Sequence, residues 1–345
     1  MRIADLPTPA AVVDLAALQA NIAAMSAELP GDRLRPHVKA HKCTSIARLQ
    51  SAAGHRTFTC ATVREMIGMA AAGLGDDVLL ANECLDPARL ASLAGLQDRA
   101  GITVAVDSTE TVEAAARAGI ARVLVDVNVG LPRCGCDPAD AGRIADLART
   151  RGMEVRGVMG YEGHLMMVED RAERAAKVHA AMEVLAAAHR DTGGNIVSAG
   201  GTGTHDLFTG TAVTEVQAGS YALMDSQYAR LGHPFVQALW IAGTVVSSGP
   251  KWSVADVGLK ALGMDHGDPT IAGHRVWFCS DEHVTFSPES GTTRVRPGER
   301  VLVTPAHVDP TMAMHERVHI VDSGGRGIDP ECEVVDTWSI DLRGW

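Results

Sequence analysis

From residue 10 to about residue 230, β-branched apolar runs alternate with Ala-rich stretches whose apolar positions recur at helical spacing. The β-rich runs lie at 10–15, 34–40, 56–62, 76–83, 101–108, 121–129, 154–161 and 195–201. Each is almost continuously apolar, as parallel strands covered on both faces are. The stretches between them carry helix punctuation. Gly73 suits a stop, Pro87 a first turn, Ser108 an N-cap, and Asp137-Pro138 another start. The longest helical stretch covers 171–190. Eight such units predict an α/β fold, a (β/α)8 TIM-like barrel over 10–233, with a doubly wound open sheet as the alternative.

Beyond about residue 235 the helical spacing stops. Short strand candidates follow at 238–248, 252–258, 275–280, 283–287, 293–298, 300–305, 317–322 and 332–340, separated by Gly, Pro and Asp. Residues 234–345, joined by 1–9, therefore predict a β domain.

Composition narrows the partners. Hydrophobic residues make up 46% of the chain and charged residues 21%, an ordinary globular balance. The net charge of −11 argues against a nucleic-acid partner or an anionic membrane, but leaves room for a small anionic ligand in a local pocket. No apolar run approaches the ~18 residues of a membrane span. The start MRIADLPTPA lacks a signal-peptide pattern. Seven cysteines, an odd number without a CxxC pair, read as reduced thiols in a cytoplasmic protein.

Candidate chemistry concentrates at the predicted C-terminal ends of the strands, where such barrels place their ligands. The run Leu34-Arg35-Pro36-His37-Val38-Lys39-Ala40-His41-Lys42 holds two lysines and two histidines. A lysine there can form a Schiff base; an ordinary surface lysine is the plainer reading of either. Gly130–Gly135 includes Arg133, and Tyr161-Glu162-Gly163-His164 follows the next strand. The run Ala199-Gly200-Gly201-Thr202-Gly203-Thr204 suits an anion cradle, in which glycine lets backbone N–H groups approach phosphate oxygens. It does not match the nucleoside-triphosphate loop GxxxxGK[ST], and alone it could equally be a flexible turn. Gly219-Ser220 offers a second loop for the same clamp. A phosphate clamp plus a strand-end lysine points to pyridoxal 5'-phosphate, whose ring serves as an electron sink. In the β domain, His307 and Asp309 at i and i+2 of an extended run would face one way and could share a divalent cation. A hydrogen-bonded loop is the plainer reading. Asp281-Glu282-His283 could support either the metal or the substrate.

These motifs resemble the fold-type III pyridoxal-phosphate enzymes that include D-threonine aldolase, 3-hydroxy-D-aspartate aldolase and eukaryotic-type D-serine dehydratase. The resemblance runs from DLPTP at the start, through RPHVKAHK, Arg133-Cys134-Gly135, GGTGT and EVQAGSYALMD, to VADVGLKA, DEH and HVDPT. It implies an alanine-racemase-like barrel with a C-terminal β domain. It also implies a homodimer with a shared active site, the metal half coming from the other chain. Lys39 matches the Schiff-base lysine, and Arg133 the arginine near the cofactor's phenolic oxygen. Tyr161 matches the tyrosine beside the ring. Gly201, Thr202, Gly203, Ser220 and Tyr221 fall in the cofactor loops, and His307 and Asp309 match the metal ligands.

Two details discriminate within the family. Its aldolases carry His-x-Asp at the metal, and its D-serine dehydratases His-x-Cys. Asp309 therefore favours an aldolase acting on small D-3-hydroxy amino acids, and its hard carboxylate favours Mn or Mg over Zn. The aldolases read YHGxxQH after the tyrosine strand, and their last histidine helps deprotonate the substrate hydroxyl. That position here is Met167, which leaves His164, Glu162 or a metal-bound water for the role. The alternatives are a dehydratase, a racemase and a non-catalytic pyridoxal-phosphate-binding protein. A racemase needs no metal, and a carrier needs no second domain.

Overall fold

The computed structural model describes residues 1–345. The chain divides into two compact units. One comprises Met25–Lys39, Ile46–Gly219 and Gly344–Trp345; the other comprises Met1–Ala24, Ala40–Ser45 and Ser220–Arg343.

The first unit is the barrel. Strands Thr57–Cys60, Asp77–Leu80, Ile102–Val106, Arg122–Asp126, Glu154–Gly160, Ile196–Ala199 and Glu215–Val216 pair in sequence order, every pair parallel. Residues 34–37 close the ring as the eighth member. Leu34 bridges Val216 and His37 bridges Thr59, both in parallel. Arg35 N–H donates to the Val216 carbonyl at 2.9 Å, and Thr59 N–H to the Pro36 carbonyl at 2.9 Å. Pro36 has no N–H to give, which fits a ladder broken into single bridges.

The barrel thus forms, but with one strand exchanged. Ala10–Asp14, expected as its first strand, pairs instead with Leu239–Ser248 and Arg317–Val321 in the other unit. The short Glu215–Val216 takes the place at the end of the series. All five residues of Ala10–Asp14 are buried, as in a barrel strand, so apolar continuity could not tell one sheet from the other.

The helices begin and end where their punctuation is. Ser108 accepts from Thr111 N–H, and Asp86 accepts from the Ala88 and Arg89 N–H groups ahead of Pro87. Helix Val63–Ala71 starts on a reciprocal box between Thr62 and Glu65 and is followed by Gly73 at φ +74.

The N-terminal end of the barrel is filled by ions rather than by aliphatic layers. Arg35 is 1% exposed; its Nε donates to Glu215 Oε1 at 2.7 Å, and its Nη2 to Asp77 Oδ2 at 3.3 Å. Arg156 donates to both Asp77 oxygens, at 2.7 and 2.8 Å. Burial pushes the Asp77 carboxyl up, but the Arg156 hydrogen bonds and the Arg35 charge outweigh it and hold the group at about 2.

The second unit carries a nine-stranded sheet. Leu239–Ser248 pairs with Ser253–Ala255 as well as with Arg300–Thr304, so six of these strands curl into a closed ring. Ala10–Asp14, Arg317–Val321 and Val334–Ser339 extend it. Residues 293–298, expected as a strand, form none. Pro297-Gly298 makes a turn there, with Gly298 at φ +92, and the strand begins only at Arg300.

Candidate active site

Within the barrel unit, the expected chemistry collects at the C-terminal ends of the strands. Lys39 lies in the 3-10 turn Val38–Ala40, directly after residues 34–37. Its Nζ is 6.0 Å from the centre of the Tyr161 ring. Arg133 holds its guanidinium carbon 5.4 Å from the same centre. Tyr161 follows Glu154–Gly160, and Gly200–Thr204 follows Ile196–Ala199. An amine, a guanidinium, an aromatic face and a glycine-rich loop therefore sit on one unit. Asp126, Asn128, Arg133, Cys134 and Tyr161 line a small hollow beside the guanidinium and the aromatic face.

The glycines are where contact requires them. A side chain on Gly203 would begin 2.2 Å from the Met166 carbonyl oxygen, and one on Gly201 would begin 2.9 Å from the Met166 sulfur. Thr202 is buried, and its carbonyl accepts from His205 Nδ1 at 2.8 Å.

The two candidates for the missing histidine separate clearly. Glu162 is fully buried and accepts from the Thr204 hydroxyl at 2.7 Å and from Gly200 N–H at 3.2 Å. Burial raises its pKa above the ordinary carboxylate value, against those hydrogen bonds. His164 is exposed and lies against Gly130, where an added Cβ would meet its ring at 3.0 Å. Only His164 has the access a proton-transfer group needs. Met167 is half-buried.

Sequence reasoning gave no role to Asp126 or Glu83. Burial first, then the neighbouring Glu83 carboxylate, hold the Asp126 carboxyl well above its usual range, with Arg133 opposing. Burial and Glu83 also push the Cys134 thiol up to about 12, so it is a thiol and not a thiolate at neutral pH.

In the second unit, His307 is the extended residue that precedes helix Val308–Met314, and Asp309 is in the helix's first turn. The pair does not converge through strand alternation, as the extended reading had it. The chain turns into a helix between them, and this leaves His307 Nε2 3.9 Å from Asp309 Oδ1. Two ligands at about 2.1 Å from one ion can span that gap. The other ring nitrogen, Nδ1, is 2.8 Å from Asp265 Oδ2, and the ring stacks on His266 at 3.8 Å. A carboxylate on the far nitrogen is how metal-binding histidines are usually oriented, so the donor set fits a divalent ion. Asp265 was not anticipated. In the group expected at 281–283, Asp281 and Glu282 pair with Lys260 on the surface.

Ser220 opens the 3-10 turn Ser220–Ala222 and donates to Asp309 Oδ1 at 3.3 Å. The metal pair and this loop residue thus meet within one chain. Tyr221 is completely buried, its ring 5.6 Å from that of Phe235. Asp225 accepts from Val308 N–H at 3.0 Å and from Tyr228 N–H at 2.9 Å, which fixes the start of helix Val308–Met314. Lys42, the second lysine of the Leu34–Lys42 run, has φ +49, and its carbonyl accepts from Leu342 N–H.

Residues 13–227 match the family model described as alanine racemase, N-terminal domain. The chain belongs to the fold-type III pyridoxal-phosphate family. Residues 238–321 match a second model, described as "Putative serine dehydratase domain". Among relatives of this family, a D-threonine aldolase from Arthrobacter sp is 35% identical over 99% of this chain and 94% of that protein. A 3-hydroxy-D-aspartate aldolase from Paracoccus denitrificans (strain Pd 1222) is 30% identical over 99% of this chain and 93% of its own length. The crystal structure of D-threonine aldolase from Filomicrobium marinum superposes with a TM-score of 0.90 at 34% identity, covering 99% of this chain and 96% of that one. D-threo-3-hydroxyaspartate dehydratase from Delftia sp. HT23 superposes at 0.85 with 26% identity, over all of both chains.

Proposed function

We propose that this chain is a pyridoxal-phosphate-dependent, metal-activated lyase that cleaves D-3-hydroxy amino acids of the D-threonine type to glycine and an aldehyde. The observation that carries the reading is the full-length likeness to D-threonine aldolase, joined to Asp309 in the His-x-Asp pair. The cluster of Lys39, Arg133 and Tyr161 supports the cofactor.

Lys39 would hold the cofactor's aldehyde carbon, with Tyr161 beside the ring and Arg133 near its phenolic oxygen, as the family pattern implies. Gly201, Thr202 and Gly203 would hold the phosphate, with Ser220 and Tyr221 from the second loop of that pattern. When bound, the cofactor supplies an electron sink for bond cleavage at Cα. A divalent ion on His307 and Asp309, Mn or Mg before Zn, supplies Lewis acidity toward the substrate's 3-hydroxyl. His164 would take the hydroxyl proton as the Cα–Cβ bond breaks and the aldehyde departs. A proton from solvent at Cα would complete glycine, and His164 would return its own proton to solvent.

The family resemblance extends the proposal to a homodimer with a shared active site. Trp277 and Phe278, both exposed on strand His274–Cys279, are in keeping with a covered surface there. No helix is long and apolar enough to cross a membrane, and all seven cysteines are free, in keeping with a cytoplasmic enzyme.

The second reading is a dehydratase, favoured by the likeness to D-threo-3-hydroxyaspartate dehydratase. A product assay decides. With D-threonine and added Mn, glycine and acetaldehyde are expected; 2-oxobutyrate and ammonia would reverse the assignment.

A further inference from the structure

Glu162 is completely buried beside Tyr161, and nothing in the proposed chemistry uses it. Its two carboxylate oxygens reach the two ends of one loop. Oε2 accepts from Gly200 N–H at 3.2 Å, and Oε1 accepts from the Thr204 hydroxyl at 2.7 Å. The same hydroxyl accepts from Gly201 N–H at 3.3 Å, and Thr204 N–H donates to the Gly201 carbonyl at 3.2 Å. Met166, four residues after Glu162, closes the other side. Its sulfur is 3.9 Å from the Thr204 hydroxyl, and its backbone bars any side chain from Gly203. The turn that begins at Tyr161 therefore grips the loop 200–204 through one carboxylate and one methionine.

We propose that Glu162 is a positioning residue, which holds Gly200–Thr204 in the shape that receives the cofactor's phosphate and couples that loop to the ring-side Tyr161. The role rests on the pyridoxal-phosphate reading. A buried acid is a costly tether unless its oxygens are satisfied, and here both are.

The test compares two ligands that differ only in the phosphate. The cofactor-stripped chain is titrated by absorbance with pyridoxal 5'-phosphate and with pyridoxal. Glu162→Ala weakens pyridoxal 5'-phosphate at least about tenfold, while pyridoxal changes by less than about twofold. Glu162→Gln stays within about threefold of the parent, because its amide oxygen still accepts from Gly200 and its NH2 can donate to Thr204. Thr204→Val removes one arm of the tether without emptying the site, and it weakens the phosphate form in the same sense. It carries the test if Glu162→Ala fails to fold. Equal loss of both ligands, or no loss in either variant, overturns the positioning role. Failure of the parent chain to bind pyridoxal 5'-phosphate overturns the lyase reading instead.

Discussion

Ser220 Oγ donates to Asp309 Oδ1 at 3.3 Å within a single chain. The first residue belongs to a stretch the family pattern assigns to the cofactor, and the second to its metal pair, yet 89 positions separate them. Asp225 secures the contact by accepting from Val308 N–H, so the 3-10 turn at Ser220 and helix Val308–Met314 are held as one piece. Asp309 therefore finds this loop in its own chain.

His307→Ala and Asp309→Ala should each lower metal-stimulated turnover at least about 10²-fold, since each removes one of two protein ligands. Elemental analysis after dialysis should show the bound ion lost. Asp265→Ala should leave the ion present but bound about 10–100-fold more weakly, because it only orients His307. Unchanged metal affinity in Asp265→Ala would show that the Asp265–His307 contact does not serve the metal.

Lys39→Ala should abolish the absorbance of lysine-linked cofactor, whereas Lys42→Ala should keep it. Lys39 sits at the barrel mouth beside Tyr161; Lys42 lies past the turn, its backbone tied to Leu342. The reverse result would assign the Schiff base to the wrong lysine.

Much of this was legible in the sequence for identifiable reasons. Lys39 and Gly201 fall at the ends of the β-rich runs 34–40 and 195–201, so periodicity located the right neighbourhoods, although the pairing itself stops at His37 and Ala199. What was hidden depends on tertiary pairing. Ala10–Asp14 carries the same buried pattern whichever sheet receives it. His307 and Asp309 were read as one extended run, but Val308–Met314 is helical, and the convergence comes from the turn into it. Asp265 and Glu162 act through partners 42 and 38 residues away, and no local spacing marks either. Arg35 lies inside the Leu34–Lys42 run, yet its task concerns the opposite end of the barrel from Lys39.

His164→Ala should lower kcat by about 10²–10⁴-fold with little change in cofactor absorbance, the signature of a lost proton-transfer group. A drop confined to KM would make His164 a substrate contact. Full activity would leave the hydroxyl proton to a metal-bound water.

The ion cluster under the barrel predicts a specific acid sensitivity. Asp77 has a lower pKa in the folded chain, about 2, than an unfolded aspartate has. Its ionised form therefore stabilises the fold above the unfolded value near 4, and that contribution disappears as pH falls through about 2. The linkage is on the order of 2 kcal/mol. Asp77→Asn removes the charge that Arg35 and Arg156 share, and it should cost about 3 kcal/mol at neutral pH, because two guanidinium groups then lose their common anion. Urea unfolding at pH 5 and at pH 2.5 checks both statements. The parent chain should lose stability between the two pH values by more than Asp77→Asn does, and equal losses would remove Asp77 from the account of acid unfolding.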